Sequence, residues 1–134
     1  SGVTHSVQCA MAEMLKAASD GVYTFREDIR EYARRTERIK KALLENGFHI
    51  VYDKDLDEPV GDGFFFTFGY NKPDGTPMEG GELLRNLLYF GISGIVLSST
   101  GSVLQGIRGC SSNIREDQFE IFEERLKLFN QANS

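Results

Sequence analysis

FHIVYD, Phe48 to Asp53, and FFFTFGY, Phe64 to Tyr70, decide how this chain folds, because at Phe48 the period of its apolar residues changes. Upstream, apolar positions recur every three or four residues, as on one face of a helix; from Phe48 onward they alternate or run together, as in strands. FHIVYD predicts a short strand and KDLDEPVGDG a polar connection. FFFTFGY predicts a strand too apolar to be exposed on both faces.

Toward the N-terminus, TFRE at Thr24–Glu27 supplies a capping box, and Phe25, Ile29, Tyr32, Thr36, Ile39 and Leu43 mark one face of a long helix that Asn46 and Gly47 end. About six turns and ~33 Å are expected. Before it, Val7, Ala10, Met11, Met14, Leu15 and Ala18 fall at helical spacing until Ser19-Asp20-Gly21 stops them. Toward the C-terminus, NKPDGTPMEGG reads as a loop turning hardest at Asp74 and Gly75, and Glu82 to Phe90 as a third helix. GISGIVLSS reads as a strand, TGS as a turn and VLQGIRGCSS as the returning strand. A last helix is expected to open at Asn113, with Glu116 three residues on, and to run through Phe119, Phe122, Leu126 and Phe129. The order helix, helix, β, β, helix, β, β, helix predicts a two-layer α/β (α+β) domain. Its small mixed or antiparallel sheet of about four strands would carry helices mainly on one face.

Composition bounds what such a domain does. At 134 residues, 40% hydrophobic and 11% aromatic, the chain is expected to form one domain around one core. The net charge is -5 and the basic residues are scattered along helices, which argues against nucleic acid as a partner. RRTERIKK and EYARR read as a solvated helix face. No run approaches the ~18 apolar residues a membrane span needs, and SGVTHSVQCA has no signal-peptide pattern, so a soluble cytoplasmic protein is expected. Cys9 and Cys110 fit neither a disulfide framework nor metal-ligand spacing and are expected as small buried side chains.

Few residues suggest chemistry. His5 and His49 have no Cys, Asp or His at ligand spacing, so no metal site is expected. No Gly-x-Ser-x-Gly elbow accompanies the many serines. SSTGS at Ser98–Ser102 reads as a turn, and DLDE at Asp55–Glu58 as solvated surface. Arg108 stands out: in GSVLQGIRGC it lies among Val103, Leu104 and Ile107, with Gly106 and Gly109 expected to leave room beside the guanidinium. A buried arginine needs a carboxylate, either from the protein as a structural ion pair or from a ligand.

Four stretches together resemble the C-terminal small domain of class I/II, fold-type-I, pyridoxal-phosphate-dependent aminotransferases. THSVQCAMAEML is similar to the segment that follows the cofactor lysine in that family, and REYARRTERIKKALLENG to the helix leading into the small domain. PVGDGFFF resembles its glycine-then-aromatic inner strand. TGSVLQGIRG resembles its Gly-Ser turn and the strand whose arginine holds the substrate α-carboxylate. Thr100 replaces the family's usual proline, Leu104 a common aromatic, and Gly109-Cys110 larger apolar residues.

The resemblance implies a single domain over 1–134, with a leading helix at 1–21, the long helix at 22–47, and the sheet and covering helices at 48–134. It implies that Arg108 binds the substrate carboxylate, that the substrates are an amino acid and a 2-oxo acid, and that the parent is a homodimer using pyridoxal phosphate. It also implies that a large N-terminal domain is missing. None of Lys16, Lys40, Lys41, Lys54, Lys72 and Lys127 sits in the family's Ser-x-x-Lys setting. The chain is therefore expected to be a fragment with no catalytic or cofactor-binding residue of its own, and inactive alone. The alternatives are a non-enzymatic α/β module that binds a small carboxylate, or another fold-type-I enzyme such as a decarboxylase or synthase.

Overall fold

The change of period at Phe48 marks the point where helix gives way to sheet. The computed structural model describes residues 2–61 and 63–134, with only the backbone of Asp28; Asp62, inside PVGDGFFF, lies outside the described residues. Among them are four α-helices: α1 His5–Ser19, α2 Arg26–Glu45, α3 Gly80–Tyr89 and α4 Phe119–Asn133. The strands are β1 Phe48–Ile50, β2 Lys54–Asp55, β3 Glu58–Pro59, β4 Phe65–Tyr70, β5 Ile95–Val96 and β6 Ile107–Cys110. No described helix is long and apolar enough to cross a membrane. The chain divides into two compact units, Ser1–Glu31 and Tyr32–Ser134.

In the first unit α1 has no buried residue. Val7, Met11, Met14 and Leu15 make an exposed apolar stripe on it, and Gly21, at φ +74, ends the turn that follows. The Tyr23 and Phe25 rings meet edge to face at 4.8 Å. The Thr24 hydroxyl accepts from the Arg26 N–H at 3.2 Å, one residue short of the Glu27 that the capping-box reading pairs it with. Ile29, on the apolar face read for the long helix, is 61% exposed.

In the second unit β1, β4, β6 and β5 lie side by side in that order, antiparallel throughout. Alternation along the strands gives the sheet two unlike faces. The inner face carries Phe48, Phe66, Phe68, Tyr70 and Ile107, all buried. Against it pack Ile39, Ala42 and Leu43 of α2, Leu83 and Leu87 of α3, and Phe119, Leu126 and Phe129 of α4. Helices on one face of an antiparallel sheet make this a mixed, two-layer α/β unit. Around Phe129 the rings of Phe48 and Tyr70, each at 5.1 Å, and Phe90 at 5.7 Å form one aromatic cluster. Arg38 joins α2 to α4, its Nε donating to Glu123 at 2.7 Å while its guanidinium lies 4.6 Å over the Phe119 ring.

Several expected elements are shorter than their apolar runs. FHIVYD is strand only to Ile50, and KDLDEPVGDG, expected as a plain connection, holds the two-stranded β2–β3 hairpin. At its tip Leu56 adopts φ 54, a left-handed conformation costly for a branched side chain, while 94% exposed. GISGIVLSS is strand for two residues before Leu97–Thr100 tighten into a 3-10 turn, which Gly101 closes at φ +89. Val103 and Leu104 are not in a strand, and Val103 is 91% exposed. The last helix opens at Phe119, after 3-10 turns at Ser111–Asn113 and Glu116–Gln118, so Asn113 is not its cap. Instead the Gln118 side chain accepts from the Arg115 N–H at 3.1 Å.

Candidate functional site

The outer face of the sheet carries the other half of each strand's alternation: His49 of β1, Phe65, Thr67 and Gly69 of β4, Ile95 of β5, Arg108 and Cys110 of β6. The buried side chains of the unit's helices belong to the inner core, and the outer face stays open, with Phe65 53% exposed. Arg108 sits near its centre, opposite Thr67 on one side and Ile95 on the other. It belongs to an internal strand, not to the sheet edge.

Arg108 is half-buried, and its guanidinium stacks 4.7 Å over the Phe65 ring. Among the described residues no carboxylate forms an ion pair with it. The aromatic face offers a cation partial compensation for lost water, roughly 0.5–1 kcal/mol at an exposed site. It leaves the N–H donors of the fork unused. A cavity of about 680 Å³ opens around the β5–β6 end of the sheet toward α4, and residues of both faces line it, Phe66, Phe68 and Phe122 from the core side and Phe65, Ile95 and Arg108 from the outer side. Arg108 and Arg125 are both among its lining residues, and no aspartate, glutamate or lysine is. Arg125 already donates to the Gly91 carbonyl at 2.9 Å. Such a lining suits an anion with an apolar body.

The glycines flanking Arg108 act differently from the sequence expectation. A Cβ on Gly109 would stand 2.5 Å from the Phe66 ring, and one on Gly106, at φ +148, 2.7 Å from the Phe68 carbonyl oxygen. Both let neighbouring groups approach the backbone closely and do not clear space at the guanidinium. His49 lies on the same outer face two strands away, its ring over Gly69, whose added Cβ would meet Nε2 at 2.7 Å. Burial pushes the imidazole below its ordinary pKa, so it is neutral near pH 7.

Other candidates resolve simply. No group of three or more metal-ligating side chains occurs among the described residues. Cys9 and Cys110, expected to be buried, are exposed and half-buried: α1 carries no buried residue, and Cys110 faces outward from β6. The Cys9 thiol lies 3.6 Å from His5 Nε2, and Ser102 meets the Tyr52 hydroxyl at 2.7 Å. Sequence reasoning singled out Arg108 but missed Phe65 and Cys110 as its neighbours. The period-two alternation of FFFTFGY and IRGC, once the strands are paired, puts all three on one face.

A scan of the chain against protein-family models finds no match, and no curated protein matches it.

Proposed function

We propose that this chain is the C-terminal small domain of a pyridoxal-phosphate-dependent aminotransferase, and that Arg108 holds the α-carboxylate of the amino acid or 2-oxo acid substrate. The observation that carries the reading is a half-buried guanidinium with no acidic partner among the described residues, stacked on Phe65 beside an acid-free cavity. A planar fork grips a carboxylate through two parallel hydrogen bonds, each worth about 1.5–3 kcal/mol. Fixing that end of the substrate fixes the direction of its Cα–H bond, the bond such chemistry breaks. Neutral His49 adds no competing positive charge to the face.

The residues present do not fit the cofactor itself. Pyridoxal phosphate needs a lysine for its aldehyde and donors for its phosphate; no lysine lines the Arg108 cavity, and Lys72 is committed to Glu82 at 2.7 Å. The cofactor, its lysine and the homodimeric contacts belong, on this reading, to a large domain elsewhere in the parent, in a cytoplasmic enzyme of amino acid metabolism.

The test is a protein expressed from the coding sequence extended upstream. An internal aldimine and transamination are expected, with Arg108→Lys lowering kcat/KM for α-amino acids by about 10²-fold while amines without a carboxylate are affected little. An extended protein with no cofactor lysine would favour the non-enzymatic carboxylate-binding module. Decarboxylation or acyl transfer instead of transamination would favour the other fold-type-I activities. A stable aldimine on a lysine of the 134-residue chain would overturn the fragment reading.

A further inference from the structure

The chain contains three Asp–Gly pairs, and two of them, Asp20–Gly21 and Asp74–Gly75, are alike in exposure and backbone but not in hydrogen bonding; the third, at Asp62, lies outside the described residues. Both pairs are exposed, both glycines are left-handed, at φ +74 and +83, and nothing lies within 4 Å of the space a Cβ would fill on either. At Asp74 the carboxylate is held: its Oδ1 accepts from the Thr76 N–H at 2.9 Å and from the Thr76 hydroxyl at 2.6 Å. The Gly75 N–H donates to the Lys72 carbonyl at 2.8 Å and the Lys72 N–H to the Thr76 carbonyl, also at 2.8 Å, so the turn is closed on both sides. At Asp20 no hydrogen bond or ion pair holds the carboxylate among the described residues, and the Gly21 N–H makes a 3.2 Å bond to the Ala18 carbonyl.

We propose that Asp20–Gly21 is a site of spontaneous isoaspartate formation, and that the Thr76 hydrogen bonds guard Asp74–Gly75 from the same reaction. The glycine nitrogen attacks the carboxyl carbon of the aspartate before it; the N–C bond forms, and the carboxyl hydroxyl leaves with the amide proton as water. Water then opens the five-membered imide at its main-chain carbonyl, which leaves the chain joined through the side-chain carboxyl. One water is lost and one regained, with no oxidant or reductant. Glycine permits the attack because no Cβ shields its nitrogen. Ring closure needs a neutral carboxyl that is free to turn onto the amide. Hydrogen bonds from Thr76, its hydroxyl first, hold the Asp74 carboxyl below the ordinary carboxylate range, so less of it is neutral at a given pH. The relinked chain carries one extra main-chain carbon after α1, just before the Val22 and Tyr23 N–H groups that donate to the Ala17 carbonyl at 2.9 and 3.1 Å. Those bonds close the end of the helix, so the modification loosens its last turn.

The test is to age the whole chain at neutral pH and locate isoaspartate by site-resolved mass spectrometry, with methylation by an isoaspartyl methyltransferase as the independent count. Asp20 is expected to convert at least about tenfold faster than Asp74, the factor that one to two net hydrogen bonds supply. Equal rates, or a faster Asp74, overturn the proposal. In concentrated guanidinium chloride, where the folded chain's bonds are gone, the two rates should converge. A ratio unchanged by denaturant assigns the difference to the neighbouring sequence rather than to the fold, and also overturns it. Thr76→Val removes the hydroxyl donor, keeps the N–H, and should speed conversion at Asp74 severalfold while leaving Asp20 as it was; no change at Asp74 overturns the guarding role of Thr76. Amide exchange at Val22 is expected to quicken in the converted chain, and unchanged protection there overturns the loosened turn.

Discussion

Arg108 owes its character to what it lacks as much as to what it touches. A guanidinium that anchored a buried acid would, on removal, strand that acid at a cost of about 3–5 kcal/mol. Here the contact in view is the Phe65 face, and its loss costs roughly 0.5–1 kcal/mol. Arg108→Ala is therefore expected to shift thermal unfolding only slightly, read by calorimetry. A drop of several kcal/mol would return the residue to a structural role. That Arg108 was the residue to watch was legible from sequence, because a fixed charge amid strand formers is conspicuous. Its setting was not. Gly106 and Gly109 suggested room for the guanidinium, whereas they admit the Phe68 carbonyl and the Phe66 ring, contacts that depend on which strand pairs with which.

Elements were legible in kind and order and less so in extent. The long helix, FFFTFGY and the third helix lie within a few residues of expectation, since each has a strong period and a clear stop. The run from Gly91 to Ser112 misled because apolar content does not distinguish a strand from a tight turn: Leu97 is buried within a 3-10 turn, and only Ile95–Val96 and Ile107–Cys110 find pairing partners. The β2–β3 hairpin has two residues per strand, too few to show a period. Through α4, by contrast, the 3.6 period is clear, and Phe119, Leu126 and Phe129 are all fully buried. Phe129 meets three other rings, so Phe129→Ala should cost about 3–5 kcal/mol in chemical denaturation. A loss below about 1 kcal/mol would mean that α4 is not seated on the sheet as described.

At the scale of the molecule, apolar side chains stand exposed among the described residues on α1, at Val7, Met11, Met14 and Leu15, and on the outer sheet face, at Phe65 and Ile95. Surfaces of that kind mark contacts with other protein. The chain is expected to self-associate through α1, with sedimentation coefficients that rise with concentration and fall back on Met11→Lys; a strict monomer at high concentration would remove that face from the account. On the outer sheet face, Arg108 is proposed to grip a carboxylate. The most direct test is the Arg108 Nε–H resonance during titration with butyrate and with butyramide. Once the cost of association is subtracted, two charge-assisted bonds to a small ligand leave an affinity on the order of millimolar. A saturable shift with butyrate and none with the neutral amide is expected, whereas no shift, or the same shift with both, would contradict carboxylate binding at Arg108.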